Sequence, residues 1–330
     1  MGGWIASKTT ATTATLQRSG KDSVSKRHCY KMEGVQGFFF EKIWWIQIKA
    51  VTLYCLRTGG MKGMEITSVQ NPRVKAVVAL QQKSAERRRT GLFVVEGRRE
   101  LEHCVEMGLE VKEVFVCEEI AGETEERGSE GIAANGMVTE VTRNVYEKMA
   151  YRGGTEGVMA VVKSEGKRLE DLELRKNPLI VVVERVEKPG NLGAILRSAD
   201  AAGVDAVVVC DPLTDLWNPN LIRSSIGAVF TVPCVACGSE ECIEFLKAHG
   251  IQILTAQLQD SELYYDTDMR RGTAIVMGTE ATGLTDVWRE AADAHIRIPM
   301  LGRLDSLNVS VSAAILLYEA VRQRGGTQEG

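Results

Sequence analysis

The 330-residue chain lacks an uninterrupted apolar run of membrane-spanning length. Its longest candidate, residues 38–56, is broken by Glu41, Lys42 and Lys49, whereas a bilayer span needs about 20 consecutive, mostly apolar residues. No transmembrane helix is expected. A disulfide framework is also missing. Eight cysteines lie scattered through a chain large enough to bury its own core, which points to reduced thiols and a cytoplasmic setting. A zinc site is short of ligands: Cys234 and Cys237 are separated by two residues, but only Cys242 and His249 follow nearby in place of a second ligand pair. Ordinary thiols and no metal are therefore expected. Nor does the turn at Gly190 and Gly193 carry the G-x-G-x-x-G spacing of a dinucleotide site, which disfavours a nicotinamide-dependent oxidoreductase.

What is present fits an ordinary globular chain of about two domains, with 44% hydrophobic and 25% charged residues. The formal net charge of -4 is unevenly spread: residues 1–60 carry +6 and residues 61–330 carry -10. The first 60 residues show no hydrophobic period. Residues 1–20 are Thr-rich and acid-free, as in a transit peptide, but Arg is sparse and Trp44-Trp45 is unusual for one. A dispensable extension over 1–60 is the favoured reading.

From Pro72 the pattern becomes regular. A helix reads to Gln82, then a basic loop, a strand over 92–95, a helix over 98–107, and strands over 111–117 and 157–162. Residues 61–163 thus read as a small α/β domain. Residues 164–177 are charged and lack an apolar run, so they are the expected linker. Over 178–330, short Val- and Ile-rich runs at 179–183, 206–210, 251–255, 274–277 and 295–298 alternate with helical patterns. Such runs mark strands covered on both faces, so the second domain is expected to be an α/β domain with a mainly parallel sheet. Ligands in such sheets bind where loops leave the carboxyl ends of strands.

Three of those loops carry chemistry. The first reads Glu187-Lys188-Pro189-Gly190-Asn191-Leu192-Gly193-Ala194-Ile195-Leu196-Arg197. Leu192, Ile195, Leu196 and Ala199 share one helical face and Arg197 projects roughly opposite, so Arg197 is no core residue. A solvated pair with Asp200 three residues on would account for it without function. The second reads Gly278-Thr279-Glu280-Ala281-Thr282-Gly283, with Glu280 its one charge; a plain turn capped by Thr285 or Asp286 would also explain it. The third runs from Ile298 through Met300, Ser306, Leu307 and Asn308 into a strongly apolar final helix, where Ser306 or Asn308 could simply be the N-cap.

Taken together and in this order, the three stretches resemble the three motifs of the SpoU (TrmH-like) family of RNA ribose 2'-O-methyltransferases. The resemblance covers about residues 179–324 and includes Asn218-Pro219 and the run from Arg223 to Phe230. Residues 93–97, Phe-Val-Val-Glu-Gly, are similar to the family's N-terminal RNA-binding domain, less distinctively. The resemblance implies S-adenosylmethionine as methyl donor, a trefoil knot formed by the C-terminal segment, and a homodimer with its active site near the subunit interface. It implies that Arg197 is the catalytic arginine, and that Asn191, Glu280, Ser306 and Asn308 position it and the substrate. Backbone at Gly278, Ile298 and Leu307 would hold the adenosine, with Met300 packing beside it. Where relatives commonly carry Asn and Gly, this chain has Thr279 and Ala281; since backbone contacts should dominate there, altered packing is expected rather than lost function. The RNA target is expected to be ribosomal, with transfer RNA or an inactive RNA-binding protein on the same fold as alternatives. Within residues 83–99, Lys83, Arg87, Arg88, Arg89, Arg98 and Arg99 face only Glu86 and Glu96, so Arg87, Arg88, Arg89 and Arg98 are the expected phosphate contacts.

Overall fold

Asn71 and Pro72 open a helix by complementary means. In the computed structural model, the Asn71 side chain accepts from the Arg73 amide at 2.9 Å, and the proline occupies a first-turn position whose N–H would have no partner. This is α1 (Pro72–Gln82). The structure describes residues 65–121, 137–151, 156–279 and 282–325; the expected extension over 1–60 lies outside them. The basic segment expected to be a loop is a second helix, α2 (Ser84–Thr90), ended by Gly91 at φ 63°, a left-handed conformation that glycine adopts freely.

Four strands follow: β1 (Leu92–Glu96), β2 (Val111–Val116), β3 (Met137–Glu140) and β4 (Val158–Lys163). They pair in the order β1-β4-β2-β3, parallel only between β2 and β3. Helices α3 (Arg98–Glu106), α4 (Glu118–Ala121) and α5 (Arg143–Met149) connect them.

The larger sheet is wholly parallel, in the order β7-β6-β5-β10-β8-β11-β9. Its strands are β5 (Leu179–Glu184), β6 (Ala206–Cys210), β7 (Cys234–Cys237), β8 (Gln252–Ala256), β9 (Glu262–Leu263), β10 (Thr273–Met277) and β11 (Ala294–Arg297). The helices are α6 (Pro189–Ala201), α7 (Pro219–Ser225), α8 (Ala228–Thr231), α9 (Ser239–Ala248), α10 (Asp286–Ala291) and α11 (Val309–Gln323). Alternation along β5 divides the core. Leu179, Val181 and Val183 pack with Leu192, Ile195 and Leu196 of α6 and with Leu316 and Leu317 of α11, while Ile180 and Val182 pack with Leu246 and Trp288. Both faces are dry, as the continuous apolar runs require. At the crossing of α6 and α7 a Cβ on Gly193 would collide with Ser224, so glycine is required there.

The two sheets share one core. Phe93 and Val95 of β1 belong to the same buried cluster as Val183, Leu196 and Phe230. Phe93 stacks on Trp217 with centroids 4.5 Å apart and on Phe230 at 5.8 Å. The segment expected to be a linker is also packed down: Leu169 is buried, Leu172 and Leu174 lie against the core, and Arg175 pairs with the buried Asp205 at 2.8 Å. Three leucines spaced through a charged stretch suffice to seat it, although they never form a run.

Candidate active site

The three loops singled out by sequence leave the carboxyl ends of β5, β10 and β11, on one end of the parallel sheet. The first and third meet directly. Asn308 donates from Nδ2 to Asn191 Oδ1 at 3.2 Å, across 117 residues of chain. Asn308 is also the N-cap of α11: its Oδ1 accepts from the Ser310 amide at 3.1 Å and the Ser310 hydroxyl at 2.6 Å. Capping and joining the two motifs are compatible because an amide side chain accepts at one atom and donates at the other.

Arg197 lies on the exposed face of α6. It forms no hydrogen bond or ion pair with any described residue, and the local pair with Asp200 is absent; Asp200 instead accepts from the Thr231 hydroxyl at 3.1 Å. The guanidinium is left free to meet an incoming anion. Ser306 is exposed in the loop before α11, and Glu280 lies outside the described residues.

Ile298, Met300, Ser306 and Leu307 line a cavity of about 140 Å³ beside β8 and β11, together with Gln257, Asp305 and Leu316. Its apolar walls suit a flat heterocycle. Gln257 is part of the cavity wall; its Oε1 is buried and has no hydrogen-bond partner among the described residues, while its amide nitrogen donates to the Gln259 carbonyl at 3.0 Å. An unmatched buried acceptor is costly unless a ligand donor satisfies it. Sequence reasoning missed Gln257; its position just past the carboxyl end of β8 was the available signal. Gly278 does not line this cavity. A Cβ there would collide with the backbone of Gly283, with which Thr279 exchanges amide-to-carbonyl bonds of 3.2 and 3.0 Å, so the glycine serves the tight loop itself. Thr279 adds a side-chain tie, its hydroxyl accepting from the Thr282 amide at 3.0 Å; Ala281 lies outside the described residues.

A residue that the motifs did not flag anchors this loop. Glu184, buried at the end of β5, accepts from the Thr285 amide at 2.9 Å and its hydroxyl at 2.6 Å. The Thr285 hydroxyl is therefore turned to Glu184 and makes no capping bond to α10.

The basic cluster divides. Arg88 is exposed. Arg89 is exposed but bonded to Glu86 at 2.5 Å, and half-buried Arg98 reaches toward the Ala121 carbonyl. Arg87 corrects the sequence expectation. It is 4% exposed, its Nε donates to Asp215 at 2.6 Å and its Nη1 to the Leu80 carbonyl at 2.5 Å, so it ties the two parts of the chain together and offers nothing to a phosphate. Three consecutive arginines on a helix spread over about 200° of its circumference, so one of them can face inward, and the run alone does not say which.

Two family models match the chain: the SpoU rRNA Methylase family over residues 178–318 and the MRM3-like substrate binding domain over residues 71–160. The 23S rRNA (guanosine(2553)-2'-O)-methyltransferase RlmP of Bacillus subtilis is 31% identical over 254 residues, covering 77% of this chain and 98% of that protein. The chain belongs to the SpoU rRNA methylase family. Another member, the 23S rRNA (uridine(2479)-2'-O)-methyltransferase of Streptomyces viridochromogenes, is 33% identical over 78% of this chain and 92% of its own length. Among solved SpoU-like structures, the AdoMet-bound rRNA methyltransferase of Sinorhizobium meliloti is 30% identical with a TM-score of 0.72, covering 79% of this chain and 98% of that one. The mixed α/β fold with its parallel sheet accords with the family. Among the described residues, no helix is long and apolar enough to cross a membrane.

Proposed function

We propose that this chain transfers a methyl group from S-adenosylmethionine to a ribose 2'-hydroxyl of ribosomal RNA in the cytoplasm. The observation that carries the reading is the Asn191–Asn308 contact, which joins the first and third motif loops near an apolar cavity lined by Ile298, Met300 and Leu307. Bound S-adenosylmethionine supplies a methyl on a sulfonium, a leaving group already activated. Ile298, Met300 and Leu307 would enclose the adenine ring, with Gln257 in the wall of the same cavity. Arg197, exposed and without a partner among the described residues, would meet the ribose hydroxyl or its neighbouring phosphate. With a guanidinium pKa above about 12, its easier role is to stabilise the forming alkoxide rather than to take the proton. Asn191, Ser306, Asn308 and Glu280 would orient the nucleotide, and backbone at Gly278 would border the donor.

The reading assigns RNA capture to residues 61–163, with Arg88 as the leading phosphate contact and Arg89 and Arg98 as lesser ones. Residues 164–177 connect them to the methyltransferase domain over 178–330. It includes a trefoil knot in the C-terminal segment and a homodimer. In support of a second copy, Leu301 and Leu304 of the third motif are 96% and 75% exposed, and Val311 and Tyr318 on the helix that follows are also exposed.

The test is incubation with labelled S-adenosylmethionine and unmodified ribosomal or transfer RNA, followed by alkaline hydrolysis. Ribose methylation protects the adjacent linkage, so label in alkali-stable dinucleotides from ribosomal RNA is expected. Label released in mononucleotides would mean base methylation and would overturn the reading; preference for transfer RNA would overturn its ribosomal part.

A further inference from the structure

Three cysteines from three separate elements meet at the carboxyl edge of the large sheet. Cys210 ends β6, Cys237 ends β7, and the two are direct partners in the parallel register. Cys242 projects from the first half of α9. Their Sγ atoms all lie within 4.8 Å of one another. Cys210 and Cys242 are buried and Cys237 is half-buried, so the cluster has a dry interior and one side open to solvent.

This is not the pair that sequence spacing suggested. Three residues apart on one strand, Cys234 and Cys237 fall on opposite faces: Cys234 packs with the core beside α6, and Cys237 with the core beside α9. His249, at the far end of α9, is not part of the cluster. The third sulfur instead comes from Cys210, 27 residues before Cys237 and on a different strand.

Isolated buried thiols act as small apolar groups. Three converging thiols form a ligand set: around one ion at a metal–sulfur distance of about 2.3 Å, sulfurs sit roughly 3.8–4.0 Å apart. A small contraction of the observed cluster reaches that geometry. The surroundings are tied down. Ser239 donates to Asp211 Oδ2 at 2.6 Å and accepts from the Trp288 indole at 3.0 Å, which engages that carboxylate and fixes the start of α9 against the strand ends. Three sulfurs with no imidazole in the set select a soft cation over magnesium or calcium.

We propose that Cys210, Cys237 and Cys242 bind one thiophilic d10 cation of the zinc class as three thiolates, at a site separate from methyl transfer. Binding exchanges three S–H bonds for three metal–sulfur bonds. Three protons pass to solvent, each sulfur keeps the electron pair it donates, and nothing is oxidised or reduced. A water on the Cys237 side completes the shell. The ion staples β6, β7 and α9, and it stabilises the fold because the unfolded chain holds no such preformed site.

The test uses the full chain, reduced and freed of metal, titrated with cadmium as the probe. A saturable thiolate-to-cadmium charge-transfer absorption is expected, with three sulfur neighbours by X-ray absorption and a rise in Tm. Cys237→Ser should lose the saturable step and the Tm rise, and Cys234→Ser should keep both. Fewer than three sulfurs around the ion in the unsubstituted protein overturns the proposal, as does equal binding by Cys237→Ser. Should Cys237→Ser fail to fold by circular dichroism, the sulfur count in the unsubstituted protein decides.

Discussion

Asn308 holds Asn191 with its amide nitrogen and the first turn of α11 with its amide oxygen. The two roles can be separated. Asn308→Asp keeps the capping oxygen and removes the donor, so stability should change by less than about 0.5 kcal/mol while turnover falls roughly tenfold or more. Asn308→Ala should lose about 1 kcal/mol as well, the usual cost of an absent cap. Thermal unfolding beside initial rates measures both, and full activity in Asn308→Asp would detach the contact from catalysis.

Arg197 is exposed and pairs with no described residue, so its removal leaves no buried partner among them. Arg197→Ala should lower turnover by about a hundredfold or more and leave both Tm and the S-adenosylmethionine dissociation constant nearly unchanged. Parallel losses of affinity and turnover would make the residue structural.

Neighbouring arginines on α2 should behave in opposite ways. Arg87→Ala breaks a buried pair with Asp215 and should cost about 3–5 kcal/mol of stability. Arg88→Ala should leave stability intact but weaken RNA binding and reduce the salt slope by about one unit. Filter binding across a salt series, with urea unfolding alongside, measures the contrast; an unchanged slope in Arg88→Ala would mark that arginine as mere solvated surface.

Asp205 gives a pH-dependent signature. Burial alone would raise its carboxyl, but the Arg175 guanidinium and the amides of Leu179 and Arg175 outweigh burial and hold it below the ordinary carboxylate range. A lowered folded-state pKa means that this contribution is complete above the unfolded value of about 3.9 and is lost as pH falls through the folded one. Asp205→Ala should therefore destabilise by about 1–3 kcal/mol at neutral pH, leaving the buried Leu179 amide unmatched. The deficit should shrink as pH falls from 5 toward 2 in denaturant titrations. A constant deficit would assign the loss to packing.

The shared core bears on dissection of the chain. Read from sequence, a fragment beginning at Asn177 holds every motif loop and should bind cofactor alone. In the structure that cut strips Phe93 from Trp217 and Phe230 and removes Arg87 from Asp215. The fragment should be markedly less stable than the intact chain and should bind a hydrophobic dye; a fragment with the parent Tm would show the shared core to be dispensable.

Much of this was legible beforehand. Strands buried on both faces announce themselves as apolar runs, and β5, β6 and β10 fall within one residue of where those runs place them. What escaped were features without periodicity. Cys-Val-Ala-Cys is too short and too small-sided to read as β7, α2 looked like a loop because its charge hid its helical register, and Leu169, Leu172 and Leu174 seat the supposed linker without making a run. Within the site, the motif side chains Asn191, Arg197 and Asn308 were legible because each is a polar residue where packing alone would not demand one. Glu184 and Gln257 were not, since each sits at the end of an ordinary strand and gains its meaning only from Thr285 or from the cavity it helps to wall.

The strand order sets a timetable for synthesis. β5 gains β6 on one side soon after both leave the ribosome, but its other neighbour, β10, lies almost 90 residues further along the chain. At about 5–20 residues per second, that edge waits roughly 4–18 s with its amides and carbonyls unsatisfied. An interval of this kind is where a nascent parallel sheet is exposed to mispairing with other chains. Synonymous codons between Glu184 and Thr273 therefore become a lever on the folded yield, because they set how long that edge stays open.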